Sequence, residues 1–329
     1  LALLAALTLV GCDELLANVL DDNAPAERSA RRTRRRRSNT QPSTTPSVGP
    51  MQPTNTFQTP GTQPSNIQGI TPQLRITFVD VGQGDSALLE TADGHAALID
   101  AGPPEGDEHL RAVLAAHAVR RLDWMMLSHP HLDHIGGARN VLAAVSVAQV
   151  IDPGFAHPIA TYDRLLADIQ GRSIPYLAAR QGQSYMLGSQ VRVEVLEPHL
   201  PFLEHSRSDA NANSVVVRIV VGSVRVLFTG DAETDTEQRL LSEMSANLQA
   251  DVLKVAHHGS RYASTAPFLS AVSPRVAVIS CATGNDYGHP HAETLAALAG
   301  RNVTVYRTDV NGDIELVTDG TRYGFRTTR

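Results

Sequence analysis

The sequence predicts an α/β fold behind a long disordered leader. Three observations carry this. From Leu74 onward, short apolar runs of strand character alternate with stretches of helical periodicity. The run Trp124-Met125-Met126-Leu127 ends in a loop dense with imidazoles and carboxylates, the place where α/β proteins put their chemistry. Residues 13–72 have a composition that cannot bury a core.

In chain order, residues 1–10 are apolar and run into Leu9-Val10-Gly11-Cys12. This resembles a bacterial lipobox, whose cysteine is lipidated and becomes the mature N-terminus. Residues 1–12 are therefore expected to be the remnant of a signal peptide. The run is too short to span a bilayer, which takes about 20 apolar residues. A lipidated Cys12 places the protein in the cell envelope, anchored to a membrane and facing the extracytoplasmic side. Cys281 is then the only thiol left, and two such distant cysteines make no disulfide framework. Cys281 follows a strand and reads as a small packed residue.

Residues 13–72 read as a tether. Seven arginines lie between Arg28 and Arg37, followed by Pro42, Pro46, Pro50, Pro53, Pro60 and Pro64 among Ser, Thr, Gln and Asn. The basic run suits anionic lipid beside an anchor, nucleic acid through counterion release, or plain solvation. Net charge is −6 overall, but beyond residue 72 there are 21 basic and 29 acidic residues, about −8. The folded part, residues 73–329, thus makes no demand for a polyanionic partner.

That part opens with Leu74 to Val81, which alternates as a strand, and the Gly-rich turn Gly82-Gln83-Gly84-Asp85-Ser86. Ala87 to Glu90 and Ala96 to Ile99 form a hairpin across Asp93-Gly94. Asp100 closes it and is placed to hold a metal-bound histidine by its second nitrogen. Asp85 is assigned a similar supporting place. Leu110, Val113, Leu114 and Val119 share one helix face, and His95, His109 and His117 nearby read as surface or packing residues.

Next comes Ser128-His129-Pro130-His131-Leu132-Asp133-His134, with three imidazoles and a carboxylate in six residues. In extended chain His129 and His131 point the same way and can share one ion. Asp133 and His134 follow where the chain turns toward a helix and can serve a second. Imidazole and carboxylate are ligands for Zn²⁺, Mn²⁺ or Fe.

Further on, Val147 to Ile151 and Val191 to Val195 read as strands, and Tyr162 to Gln170 as a helix. His199 and His205 lie in a polar loop bordering the site. Ser214 to Val221 and Val224 to Phe228 form a hairpin ending in Thr229-Gly230-Asp231. A carboxylate there can bind one ion with each oxygen. After the helix Glu233 to Met244, the strand Asp251 to Ala256 ends in His257-His258-Gly259-Ser260. Lys254, the chain's only lysine, either runs its stem along apolar surface or aims at the site. Tyr287-Gly288-His289-Pro290-His291 follows the strand Val276 to Ser280 and precedes the helix Glu293 to Ala299. The last elements are strands at Val303 to Arg307 and Ile314 to Val317.

From Leu74 on, these motifs resemble the metallo-β-lactamase superfamily. The ordered set Phe78-Val79-Asp80-Val81-Gly82-Gln83-Gly84-Asp85-Ser86, SHPHLDHIGG, Leu227-Phe228-Thr229-Gly230-Asp231, Leu253 to Ser260 and Tyr287 to His291 resembles the metallo-hydrolase domain of ComEC-type competence proteins, here in a free-standing form. The resemblance implies an αββα sandwich with a two-metal site along one edge. The ligands it implies are His129, His131, Asp133, His134, Asp231 and, as the histidine directly before a glycine, His258. His257, His289, His291, Lys254 and Asn213 form the catalytic or substrate-contacting set. One departure stands out. Most superfamily hydrolases place a third histidine of the first metal shortly before the Gly-Asp hairpin, where this chain reads Ser208-Asp209-Ala210-Asn211-Ala212-Asn213-Ser214. Oxygen ligands there make Mn²⁺ plausible beside Zn²⁺ and count against a true β-lactamase or thioesterase.

The resemblance implies hydrolysis of a phosphodiester, with nucleic acid, single-stranded DNA included, as the leading candidate, by a hydroxide activated between two divalent ions. The alternatives are an envelope hydrolase of a wall or lipid phosphoester, and a binding protein with a vestigial site.

Overall fold

Strand formation follows the period-2 pattern of the apolar residues. In the computed structural model, which describes residues 69–329, Leu74–Phe78 pairs with Ser86–Thr91, and that strand with Ala96–Ala101 across the Asp93-Gly94 turn. Ile76, Phe78, Leu89, Ala97 and Ile99 face one side of this sheet, and Leu88 and Leu98 the other. Trp124–Met126, Val150–Asp152 and Tyr176–Ala178 continue it in parallel, each joined through helix or loop. Ile314–Thr318 and Tyr323–Thr327 complete eight strands on the far side of Leu74–Phe78.

The second sheet has seven strands. Val224–Phe228, Val252–Lys254, Val276–Ile279 and Thr304–Arg307 are parallel. Val216–Val221, Val191–Glu197 and Ser184–Leu187 are antiparallel. The two sheets stack through one apolar layer, in which Phe78 and Phe228 lie ring on ring at 5.5 Å. Helices cover both outer faces. Leu110, Leu114, Val141 and Leu165 pack on Leu88, Leu98 and Met125. Leu240, Phe268, Leu269 and Leu298 pack on Leu227, Leu253 and Ala277. This is the αββα order expected.

The helices at 138–144, 160–171, 234–244 and 292–299 lie where the periodicity puts them, within about two residues, while the helix at 107–116 ends before Val119, which is buried beyond its C-terminus and not on its face. Several elements differ. The run 147–151 breaks into Ser146–Val147 and Val150–Asp152, because the first pairs with Arg121–Leu122 outside the main sheet. Tyr176–Ala178, Ser184–Leu187, the helix Ala266–Val272 and the final strand Tyr323–Thr327 were not expected. His95, His109 and His117 each meet a carboxylate, Asp123, Asp313 and Glu90 respectively. Cys281 is fully buried in the second helix-side cluster, and burial pushes its thiol pKa up to about 12. Cys12 and almost all of the 13–72 tether lie outside the described residues.

Candidate metal centre

The parallel strands deliver the chemistry. The loops after Ala96–Ala101, Trp124–Met126, Val224–Phe228, Val252–Lys254 and Val276–Ile279 all meet at one edge of the sandwich. Gly230 makes the turn that presents Asp231. It has φ +49, and a Cβ there would stand 2.8 Å from that of Ser128, so only glycine fits. Gly84 lets the Gly-rich turn press against the backbone oxygen of Asp133, 2.3 Å from where a Cβ would sit.

His131 precedes the one-turn helix Leu132–Ile135, which carries Asp133 and His134 inward. Asp100 is buried behind them. Its carboxylate accepts from Ser128 N and Oγ at 2.6 and 2.8 Å and lies 3.0 Å from His134 Nδ1. The other nitrogen, His134 Nε2, faces Asp231 Oδ1 at 3.3 Å. His129 Nε2 lies 3.0 Å from His131 Nδ1 and 3.7 Å from Asp231 Oδ2. His258 holds Ser280 O through Nδ1 at 3.0 Å and meets Asp133 Oδ2 through Nε2 at 3.1 Å. Asp133, His134, Asp231 and His258 thus offer four ligand atoms all within 4.8 Å of one another, with His129 and His131 alongside.

This donor set fits divalent cations. His134 Nε2 and Asp231 Oδ1 are buried and have no hydrogen-bond partner, a costly arrangement for polar atoms unless a cation satisfies them. The cluster also draws positive charge. Burial opposes charging His134, yet Asp231, Asp133 and Asp100 hold its pKa well above the ordinary imidazole value. Burial likewise opposes His258, and Asp231, Asp133 and Asp85 still raise it to about 10. His129, buried and next to His134, is held well below.

The remaining candidates separate. Lys254 is buried rather than snorkelling. Its Nζ donates to Asp85 Oδ2 at 2.8 Å and to Val255 O at 3.0 Å. It lies under the site and does not face a substrate. Burial raises the Asp85 pKa, but Lys254 and His258 outweigh that and leave it lowered. Asn213, expected to touch substrate, is fully buried. Its amide bonds Leu203 N and O and Asp209 O, shaping the loop before the hairpin. His257 Nε2 lies 3.8 Å from Asp231 Oδ2, and its Nδ1 meets Glu233 Oε1 at 2.8 Å. His289 is buried beside these residues, with its ring 5.3 Å from that of His257 and 4.9 Å from that of His291. Burial and the neighbouring imidazoles push the His289 pKa down to about 3. His291 Nδ1 accepts from Arg261 N at 3.2 Å. His199 borders no part of this site, since it contacts Glu197 and Glu243.

Three neighbours went unread in the sequence. Ser128 joins Asp100 to the His cluster through its hydroxyl. Glu233 passed for a helix start. His157 has its ring 5.2 Å from that of His131. His157 follows Val150–Asp152, and a position after a parallel strand was the available signal.

A family model described as the metallo-beta-lactamase superfamily matches residues 79–283. ComE operon protein 3 of Bacillus subtilis (strain 168) is 29% identical over 258 residues, covering 73% of this chain and 32% of that protein. Competence protein ComA of Neisseria gonorrhoeae is 32% identical over 245 residues, covering 74% and 32%. Recombination protein 2 of Haemophilus influenzae is 29% identical over 249 residues, covering 74% and 29%. The chain therefore spans about a third of the length of these curated relatives.

Proposed function

The chain belongs to the metallo-β-lactamase superfamily as a metal-dependent hydrolase, and from that premise we propose that it cleaves phosphodiesters, with single-stranded DNA as its leading substrate. One observation carries the choice of substrate. Relatives named for competence and recombination match across about three quarters of the chain. The segment 208–214 agrees with it. It holds no histidine, and Asn213 is spent on its own loop, unlike the β-lactamase pattern.

In this reading His129, His131, Asp133, His134, Asp231 and His258 hold two divalent ions, Zn²⁺ or Mn²⁺. Such ions supply Lewis acidity and a water deprotonated near neutral pH. The chain's own residues do the rest. Asp100 fixes the His134 ring through Nδ1, and Ser280 O fixes that of His258. Asp231 stands among these histidines, with Oδ1 toward His134 and Oδ2 toward His129 and His258. His291 accepts at Nδ1, so its Nε2 carries the proton. It stands at the rim as a donor to the developing charge or the leaving oxygen.

A second reading rests on the Cys12 lipobox and the Arg28–Arg37 run. In it the protein is anchored in the envelope and hydrolyses a wall or lipid phosphoester. One assay separates the two. Purified protein is given single-stranded DNA, bis(p-nitrophenyl) phosphate and lipid head-group phosphoesters, with Mn²⁺ and Zn²⁺ in parallel. Release of nucleotides from the DNA is expected. Turnover of the small esters alone would shift the assignment to the envelope reading, and inertness toward every phosphoester would end both.

A further inference from the structure

We propose that the adjacent imidazoles His257 and His258 serve different ions, with His257, held by Glu233, acting as the third imidazole beside His129 and His131. This rests on the metal-dependent hydrolase reading and adds a ligand to it.

The case starts from Asp231. Four imidazoles aim Nε2 at its carboxylate: His134 at Oδ1, 3.3 Å away, and His129, His257 and His258 at Oδ2, 3.7, 3.8 and 3.8 Å away. Each has its Nδ1 held from behind. Ser128 Oγ does this for His129 at 3.1 Å, Asp100 for His134 at 3.0 Å, Ser280 O for His258 at 3.0 Å and Glu233 for His257 at 2.8 Å. A partner on one nitrogen that leaves the other nitrogen's lone pair facing a shared carboxylate is the signature of a metal-binding histidine. By this measure His257 matches the other three, and its partner is a carboxylate. Glu233 is itself buried and braced by Arg207 Nε at 3.1 Å.

The backbone is arranged for the same end. His257 and His258 both have left-handed dihedrals, φ 47 and φ 52, a conformation that costs about 1–2 kcal/mol for an ordinary residue. The turn sends the two rings to the same carboxylate with their planes 73° apart. His257 N donates to Gly230 O at 3.1 Å, tying the turn to the residue before Asp231.

Need and supply also agree. Asp133, His134, Asp231 and His258 already make a four-ligand group. His129 and His131 make a pair, and the segment 208–214 adds no imidazole. Its Asn213 is buried and bonded within its own loop, and Ser214 Oγ accepts from Asp231 N at 3.2 Å. His257 is the imidazole that remains near Asp231 on that side.

The test uses metal-free full chain titrated with Co²⁺, followed by visible d–d absorption, with bound metal counted by elemental analysis after desalting. Asparagine tolerates left-handed backbone, so His257→Asn removes the ring and keeps the turn. Glu233→Gln leaves residue 257 untouched. Wild type should take up two equivalents. His257→Asn should keep one equivalent at wild-type affinity and bind the other at least tenfold more weakly. Glu233→Gln should weaken that same ion by about 10–100-fold. Combining His257→Asn with His258→Ala should weaken both ions. Two equivalents at wild-type affinity in both single variants would overturn the proposal and leave the hydrolase reading standing. A wild type that binds no metal would overturn both.

Discussion

At the residue scale the site turns on Asp231. Its carboxylate is the only one that pairs within 4 Å with His129, His134, His257 and His258 together among the described residues. Asp231→Ala removes the charge that offsets two dications, so both affinities should fall. His258→Ala removes one ligand of the Asp133 group and should weaken one ion. Metal analysis after desalting should give clearly less than one ion per chain for Asp231→Ala and close to one for His258→Ala, with hydrolysis lost in both. Two ions retained in Asp231→Ala would refute the shared-carboxylate arrangement. Lys254 acts differently, because it neutralises Asp85 under the site. Lys254→Met leaves that buried carboxylate with only His258 Nδ1, at 3.4 Å, as a charge partner, and breaking a buried pair by removing one partner costs about 3–5 kcal/mol. Chemical denaturation should show this loss, with part of it recovered in the Lys254→Met, Asp85→Asn double variant. An unchanged midpoint in the single variant would mean that the pair contributes nothing to stability.

At the element scale, the sandwich places its loops by stacking one sheet on the other. Phe78 and Phe228 meet at the layer between them, each close to a strand end that leads into the site. Phe228→Ala should cost about 3–5 kcal/mol through lost burial and a residual cavity. The thermal midpoint should drop by roughly 10 °C. A drop of under 2 °C would mean that the layer closes over the gap. Strands with strict alternation, such as Val191–Glu197, declare themselves in sequence. Tyr176–Ala178 and Ser184–Leu187 do not, because they are short sheet-edge pieces defined by the neighbours they pair with. Tyr323–Thr327 is similar. Its Phe325 is buried by stacking on Tyr306 of the opposite sheet at 4.8 Å, a contact that local periodicity does not carry.

At the scale of the whole molecule, cation binding and folding are linked but separable. Asp85, Asp100, Asp133 and Asp231 are gathered at one edge, while three apolar clusters lie between and outside the sheets. The apolar clusters should keep the metal-free chain folded. Any cation that binds the folded state alone adds about 2.7 kcal/mol at a hundred times its dissociation constant. Chelation should therefore lower the thermal midpoint and leave far-ultraviolet circular dichroism at low temperature unchanged. Loss of the folded signal on chelation would show that the metal is part of the fold.

The sequence by itself determined the α/β alternation, the strand-end positions of the chemistry and the family, because ligand spacing and apolar periodicity are local. His129, His131, Asp133 and His134 are legible as a group for that reason, Asp231 and the His257-His258 pair through their place after apolar strands, and the choice of His258 through the family resemblance. Only the tertiary structure decided what each remaining group faces. Lys254 points down to Asp85, Asn213 closes its own loop, and Glu233 reaches His257 across 24 residues. These contacts join residues distant in the chain, and their geometry is set when two sheets stack and five loops converge. No local period encodes that convergence.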